Sequence, residues 1–165
     1  MHPFDTLTLP TGHTLIFTPC PGTKGNSVSE AIAELKQGGA LALITMMPQA
    51  DLEKFEVTDI PAACQAQGID WAHLPVEDDE APEAPFEEAW QQNLATIDSW
   101  LANKTPIALH CKGGTGRTSL IGAILMQRLG YSWEDTVAHI RTVRPTGVRI
   151  PKHVAYLQEV VFRNK

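Results

Sequence analysis

Hydrophobic and polar positions along the chain switch repeatedly between two rhythms. Short apolar runs recur, and most are followed by stretches in which apolar side chains return every three or four positions. The first two runs, Thr6 to Leu9 and His13 to Thr18, bracket Pro10-Thr11-Gly12 and predict a β-hairpin. Ser27 and Glu30 then form the two halves of a capping box. The helix they open carries Val28, Ala31, Ile32 and Leu35 on one face, and Gly38 stops it. Ala40 to Ile44 is apolar throughout, as expected of a parallel strand buried on both faces. A helical turn around Asp51 to Phe55 and a short helix from Ile60 to Gln67, opened by Thr58 or Asp59 and closed by Gly68, lead to another strand, Ile69 to Leu74.

All periodicity stops at Pro75. From there to Pro85 the chain holds three prolines and five carboxylates (Glu77, Asp78, Asp79, Glu80, Glu83), which predicts a loop. Phe86, Trp90, Leu94, Ile97 and Leu101 then recur at helical spacing and predict a long amphipathic helix over 86–102. Ile107 to His110 reads as a strand, and Arg117 to Leu129 as a helix stopped by Gly130. Ser132 caps a further helix that Arg144-Pro145 ends, and Pro151 suits the first turn of a last one with Val154, Leu157 and Val161 inward. Strands alternating with helices predict an α/β fold with a mainly parallel central sheet flanked by helices. With no internal repeat and no linker, residues 1–165 read as a single domain.

Composition narrows the function. The chain has 165 residues, 43% hydrophobic and 19% charged, as in a soluble globular protein. A net charge of −6 argues against nucleic-acid binding, which needs clustered cations on the phosphate backbone. No run is long enough to span a membrane, and Met1-His2-Pro3-Phe4-Asp5 lacks a signal-peptide pattern, so a cytoplasmic location is expected. The three cysteines are widely spaced and make no disulfide framework. Cys20 and Cys64 read as ordinary thiols, with a resolving role toward an oxidised Cys111 as the alternative. His73, His110 and Cys111 have no partner at a metal-ligand spacing, so neither a metal nor another cofactor is expected.

The chemistry concentrates in His110-Cys111-Lys112-Gly113-Gly114-Thr115-Gly116-Arg117-Thr118-Ser119. A strand, a glycine-rich loop and a helix N-terminus make an anion cradle, since backbone N–H groups and the helix dipole both favour negative charge. Cys111 adds a nucleophile and Arg117 a planar cation able to grip two phosphate oxygens at once. A free thiol with a pKa of about 8.5 is about 3% thiolate at pH 7, so full ionisation raises the thiolate only about 30-fold. The larger share of catalysis must come from holding the phosphoryl group and neutralising its oxygens. The leaving group needs a proton, and a carboxylic acid among Glu77, Asp78, Asp79 and Glu80 is the natural donor. Thr118 or Ser119 can hydrogen-bond the departing sulfur, whereas His110 reads as closing its strand and bonding the loop. Lys112 reads equally as a contact for anionic substrate and as a solvated surface residue.

His110-Cys111-x5-Arg117-Thr118 resembles the signature of the cysteine-dependent protein tyrosine phosphatase superfamily. Leu74-Pro75-Val76-Glu77-Asp78 with Pro82 downstream is similar to the general-acid loop of the cyclin-dependent-kinase-inhibitor-3-like (kinase-associated) phosphatases and their bacterial relatives. Pro21-Gly22 and Arg144-Pro145 ahead of Tyr156-Leu157 look like that group too, so the resemblance covers roughly residues 14–160. It implies the fold of those phosphatases and a tyrosine or dual-specificity protein phosphatase. Cys111 would be the nucleophile, Arg117 the phosphate clamp, Asp78 the general acid and Thr118 the leaving-group partner. The amides from Lys112 through Gly113, Gly114, Thr115 and Gly116 to Arg117 would bind the phosphate of a phosphorylated protein. Three positions depart from the pattern: Ser119 where glycine is common, Glu77 before Asp78, and Lys152-His153 where relatives place a glutamine that orients the hydrolytic water. An arsenate reductase, a lipid phosphatase and a phosphate-binding pseudophosphatase are the alternatives that the same loop leaves open.

Overall fold

The computed structural model describes residues 1–163. Five strands form one sheet: β1 (Asp5–Thr8), β2 (Thr14–Thr18), β3 (Ala42–Thr45), β4 (Asp70–His73) and β5 (Ile107–His110), in the order β1-β2-β5-β3-β4. β1 pairs antiparallel with β2, as the Pro10-Thr11-Gly12 turn demands, and all other pairings are parallel. Among the described residues seven α-helices surround them: α1 (Val28–Gln37), α2 (Gln49–Lys54), α3 (Ile60–Ala66), α4 (Ala84–Ala102), α5 (Gly116–Arg128), α6 (Trp133–Val143) and α7 (Pro151–Tyr156).

Alternation along each strand divides the core in two. Leu15, Phe17, Ala42, Ile44, Ile107 and Leu109 face a cluster completed by side chains of α4, α5, α6 and the last helix. Ile16, Leu43 and Ala108 face the opposite way, toward α1, α2 and α3. The central strands are therefore buried at every position, which is why Ala42–Ile44 and Ile107–Leu109 read as unbroken apolar runs rather than as alternating ones.

Local signals set most boundaries. Glu30 donates its amide to Ser27 Oγ at 3.0 Å while Ser27 donates to Glu30 Oε1 at 2.8 Å, closing the expected capping box. Ser132 likewise accepts from the Asp135 amide. Asp59 stands at the start of α3 but makes no side-chain cap, leaving Pro61 in the first turn as the start signal. α4 begins two residues before the expected Phe86, where Pro85 fits the first turn. The last helix departs most. It turns into a π-helical stretch, Leu157–Val161; Leu157 is buried and Val154 and Val161 pack half-buried against the core as expected, but His153 is buried too. His153 is 2% exposed because α7 lies against the loop that follows β4 rather than against the apolar core alone.

The parallel strands end in one row. Thr18, His110 and Thr45 are register partners across β2, β5 and β3, and His73 completes the row on β4. Four loops therefore leave the same edge of the sheet, the edge where α/β folds place their ligands. Among the described residues no helix is long and apolar enough to cross a membrane.

Candidate active site

β5 occupies the centre of the sheet, so the loop it feeds is walled on both sides. Its first residue, Cys111, is 4% exposed. Two donors converge on the sulfur: the Gly114 amide at 3.3 Å and the Thr118 hydroxyl at 3.2 Å. The first needs the loop to turn back on itself, which Gly114 does at φ +86°. A Cβ at Gly114 would lie 2.7 Å from Pro19 N and 2.8 Å from the Thr18 carbonyl carbon, so only glycine fits between the loop and the end of β2.

The rest of the loop is fastened from outside. Cys20 donates its amide to the Lys112 carbonyl at 3.1 Å. Arg144 Nε donates to the Gly114 carbonyl at 2.7 Å, while its Nη2 reaches Phe17 O at 3.0 Å and its Nη1 pairs with Asp5 at 2.6 Å. With the Gly114 carbonyl held outward by Arg144, the same residue's amide stays on the sulfur. His110 holds the next carbonyl back: its Nδ1 lies 2.9 Å from Cys111 O and its Nε2 lies 2.7 Å from Thr45 Oγ1. Trp71 Nε1 donates to that hydroxyl at 2.8 Å. A carbonyl only accepts, so the His110 proton sits on Nδ1 and Thr45 donates to Nε2. Burial is the main reason that its pKa falls to about 4, and the nearby Arg117 cation lowers it further. A group that is neutral at neutral pH and pointed away from the sulfur is a strut, as its place at a strand end suggests.

Arg117 opens α5 and is 3% exposed. Its Nη1 donates to the Val76 carbonyl at 2.9 Å and lies 3.9 Å from Asp51 Oδ2, and its Nη2 lies 3.5 Å from Asp78 Oδ1. Both acids come from neighbouring loops and helices at the same sheet edge: Asp51 from α2 and Asp78 from the segment after β4. The guanidinium thus joins the cysteine loop to the acidic one. Asp78 itself points outward, its side chain 74% exposed, and the next residue, Asp79, adopts φ +63° to turn the chain back. Farther along, Lys152 Nζ binds Glu80 Oε1 at 2.6 Å and His153 Nε2 donates to the Glu80 carbonyl at 2.8 Å. Burial holds the His153 pKa below its ordinary value, so the ring is neutral with its proton on Nε2.

Of the residues singled out from the sequence, Gly114 and Thr118 meet at the Cys111 sulfur, Arg117 links their loop to Asp78, and His110 bonds the Cys111 carbonyl. Ser119 points away from it, with a buried hydroxyl that lacks a partner among the described residues and sits where a Cβ on Gly147 would press. Gly113 is open to solvent, while Gly116 meets Ile150 on the approach to α7. Cys20 and Cys64 are free buried thiols, and burial pushes each up to about 12. Asp51, Thr45 and Arg144 join the site without a sequence signal for that role. Nothing local marks them, because each acts across the sheet edge rather than within its own segment. Among the described residues no group of three His, Cys, Asp or Glu side chains is placed to hold a metal ion.

A cysteine under two donors, a buried arginine and an acid on the adjoining loop are the chemistry of a phosphate-ester hydrolase, and comparison with known proteins agrees. A family profile described as a polymorphic toxin system DSP-PTPase phosphatase matches residues 21–130. The chain belongs to the dual-specificity and tyrosine phosphatase family. It is 30% identical over 154 residues to cyclin-dependent kinase inhibitor 3 of Rattus norvegicus, covering 88% of this chain and 69% of that protein. Over 82 residues it is 43% identical to the tyrosine-protein phosphatase CDC14 of Candida albicans, covering 48% of this chain and 15% of that one. The solved structure of kinase-associated phosphatase, with serine in place of its catalytic cysteine, superposes with a TM-score of 0.83 at 24% identity, over 96% of this chain and 93% of that one. Tk-PTP in its active form gives 0.70 at 20% identity, over 90% and 92%. The α/β architecture is thus that of the family's phosphatases, and the chain is a cysteine-dependent phosphomonoester hydrolase.

Proposed function

We propose that this phosphatase removes phosphate from phosphotyrosine, and from phosphoserine or phosphothreonine, in cytoplasmic proteins, using residues 1–165 as a single catalytic domain. The observation that carries the reading is the pair of donors on Cys111 Sγ beside a buried Arg117 that also reaches the loop of Asp78. The Cys111 thiolate attacks phosphorus in line while the bond to the ester oxygen breaks. Asp78, as the carboxylic acid, gives its proton to that oxygen, and the alcohol leaves. Arg117 exchanges its present partners for two phosphoryl oxygens, and the amides from Lys112 to Arg117 bind the rest. In the second half, the Asp78 carboxylate takes a proton from water as the water oxygen attacks phosphorus. The P–S bond breaks, inorganic phosphate forms, and the Thr118 hydroxyl stabilises the returning thiolate. His153 and Lys152 hold Glu80 and so keep the acidic loop over the cradle.

The protonated state of Cys20 and Cys64 supports a hydrolase over a reductase, which would need a second thiolate near Cys111 at neutral pH. The test is hydrolysis of a series of aryl phosphates. Cys111→Ser should lose at least about 10⁴-fold in kcat. Asp78→Ala should lose about 10²-fold, less for good leaving groups, and Asp79→Ala should stay within about threefold. Full activity in Cys111→Ser would overturn the mechanism, and loss in Asp79→Ala alone would move the acid by one residue.

A further inference from the structure

The wall of the site that follows β3 is built differently from the acidic loop that follows β4. α2 leaves the sheet edge after β3, and its Asp51 reaches Arg117 at 3.9 Å, so the helix lies alongside the cradle. Phe55 ends α2, donating its amide to Asp51 O. The following turn, with Glu56 at φ +58° and Val57 buried, fixes where the half-buried ring sits. Two ammonium groups approach that ring. Lys112, a member of the cysteine loop, places Nζ 4.9 Å from its centroid, and Lys54 places Nζ at 5.4 Å.

Neither lysine has a carboxylate within 4.0 Å among the described residues, although the chain carries a net charge of −6. Of the acids beside Lys54, Asp51 faces Arg117, Glu53 is hydrogen-bonded to Gln49, and Glu56 is exposed without an ion pair among the described residues. The Lys112 backbone is already engaged through its carbonyl, which leaves the side chain free to contact a ligand. An aromatic ring that collects two cations costs them some mobility in advance and leaves a concentrated positive charge facing solvent. Glu77, Asp78, Asp79, Glu80 and Glu83 belong to the loop that leaves the neighbouring strand, β4. The rim therefore carries both signs of charge, with the ammonium groups of Lys54 and Lys112 gathered at the Phe55 ring.

We propose that Lys54, Phe55 and Lys112 form an anion subsite for a second negative group on a phosphopeptide, either an Asp or Glu side chain near the phosphoresidue or a second phosphoryl group. This rests on the reading of the chain as a protein phosphatase. Bound in the cradle, the substrate sets its second negative group against the Lys54 and Lys112 ammonium groups at the Phe55 ring.

The experiment compares phosphotyrosyl peptides that are neutral, acidic before the phosphoresidue, acidic after it, or doubly phosphorylated. A simple aryl phosphate serves as the control. Wild type should show a KM about three- to tenfold lower for at least one anionic peptide, at unchanged kcat and shrinking with added salt. Lys54→Gln should remove about half of that preference on a logarithmic scale and Lys54→Glu should abolish it. Phe55→Leu should weaken it by releasing both ammonium groups. All three variants should hydrolyse the aryl phosphate as wild type does. Equal KM values across the wild-type peptides, a preference that survives Lys54→Glu, or faster hydrolysis of a soluble phosphoinositide headgroup than of every peptide would overturn the subsite. In those cases turnover of the aryl phosphate leaves the phosphatase reading standing; failure on the aryl phosphate removes both.

Discussion

The cysteine loop and the acidic loop leave neighbouring positions of one sheet edge, yet they are held in opposite ways. Residues 111–117 are tied by Cys20, His110, Arg144 and Thr118, with both reactive side chains under 5% exposed. Residues 77–81 are tied where they begin, by the Leu74 and Val76 amides to β3 and its following residue and by Arg117 to Val76 and Asp78, and beyond that, among the described residues, through Glu80. The difference fits two tasks. A cradle that stabilises developing charge must be in place before the reaction, because reorganising it would cost part of what it supplies. A proton donor must instead approach and withdraw as substrate enters and product leaves, and a segment with few buried contacts opens at low free-energy cost.

Substitutions can break this contrast. The largest effect belongs to the cradle. Gly114→Ala puts a methyl group against Pro19 and Thr18 and turns the amide off the sulfur, so kcat/KM should fall about 10²- to 10³-fold, with inorganic phosphate no longer inhibiting competitively. If the variant stays within threefold of wild type, the cradle is not held as described. Next comes the strut beneath it. His110 is neutral in the folded protein, with a pKa of about 4 against 6.5 unfolded, so the unfolded chain binds the extra proton between those values. Its contribution is complete above pH 6.5 and is lost as pH falls toward 4, on the order of 3 kcal/mol in all. Denaturant titrations of wild type and His110→Gln over that range should show the steeper slope only in wild type. The smallest effect belongs to the acidic loop. His153→Ala removes one hydrogen bond to Glu80 and should lower kcat about fivefold, leaving phosphate inhibition unchanged. A loss of phosphate affinity in that variant would mean that the two loops are not mechanically separate.

Much of this was legible from the residues alone. The capping box at Ser27 and Glu30, the strand Ile107–His110 and the glycine stop after Leu129 all depend on side chains within a few positions of one another, and the structure places them as expected. The last helix was legible only in part. Its pattern of Val154, Leu157 and Val161 ignored that a histidine becomes an inward residue once a loop carbonyl is available to accept from it. The roles of Asp51 and Arg144 are not legible for a related reason. One sat in a turn with weak periodicity and the other looked like a helix terminus, and their partners are 66 and 30 residues away, at Arg117 and Gly114.

The sequence by itself determined the elements, their order and the heart of the site, because Cys111, Gly114, Arg117 and Thr118 lie within a single loop whose geometry is local. Only the tertiary structure decided what surrounds that loop. The order β2-β5-β3-β4 seats the Cys111 strand between Thr18 and Thr45 and brings Val76, Asp78, Asp51 and Phe55 to its rim. Strand order is a property of how two hydrophobic faces are covered by helices, and the period-two pattern within each strand is the same whichever neighbour it takes. Which charged residues reach the rim of the cysteine loop therefore follows from packing, even though every charged residue is visible in the chain from the start.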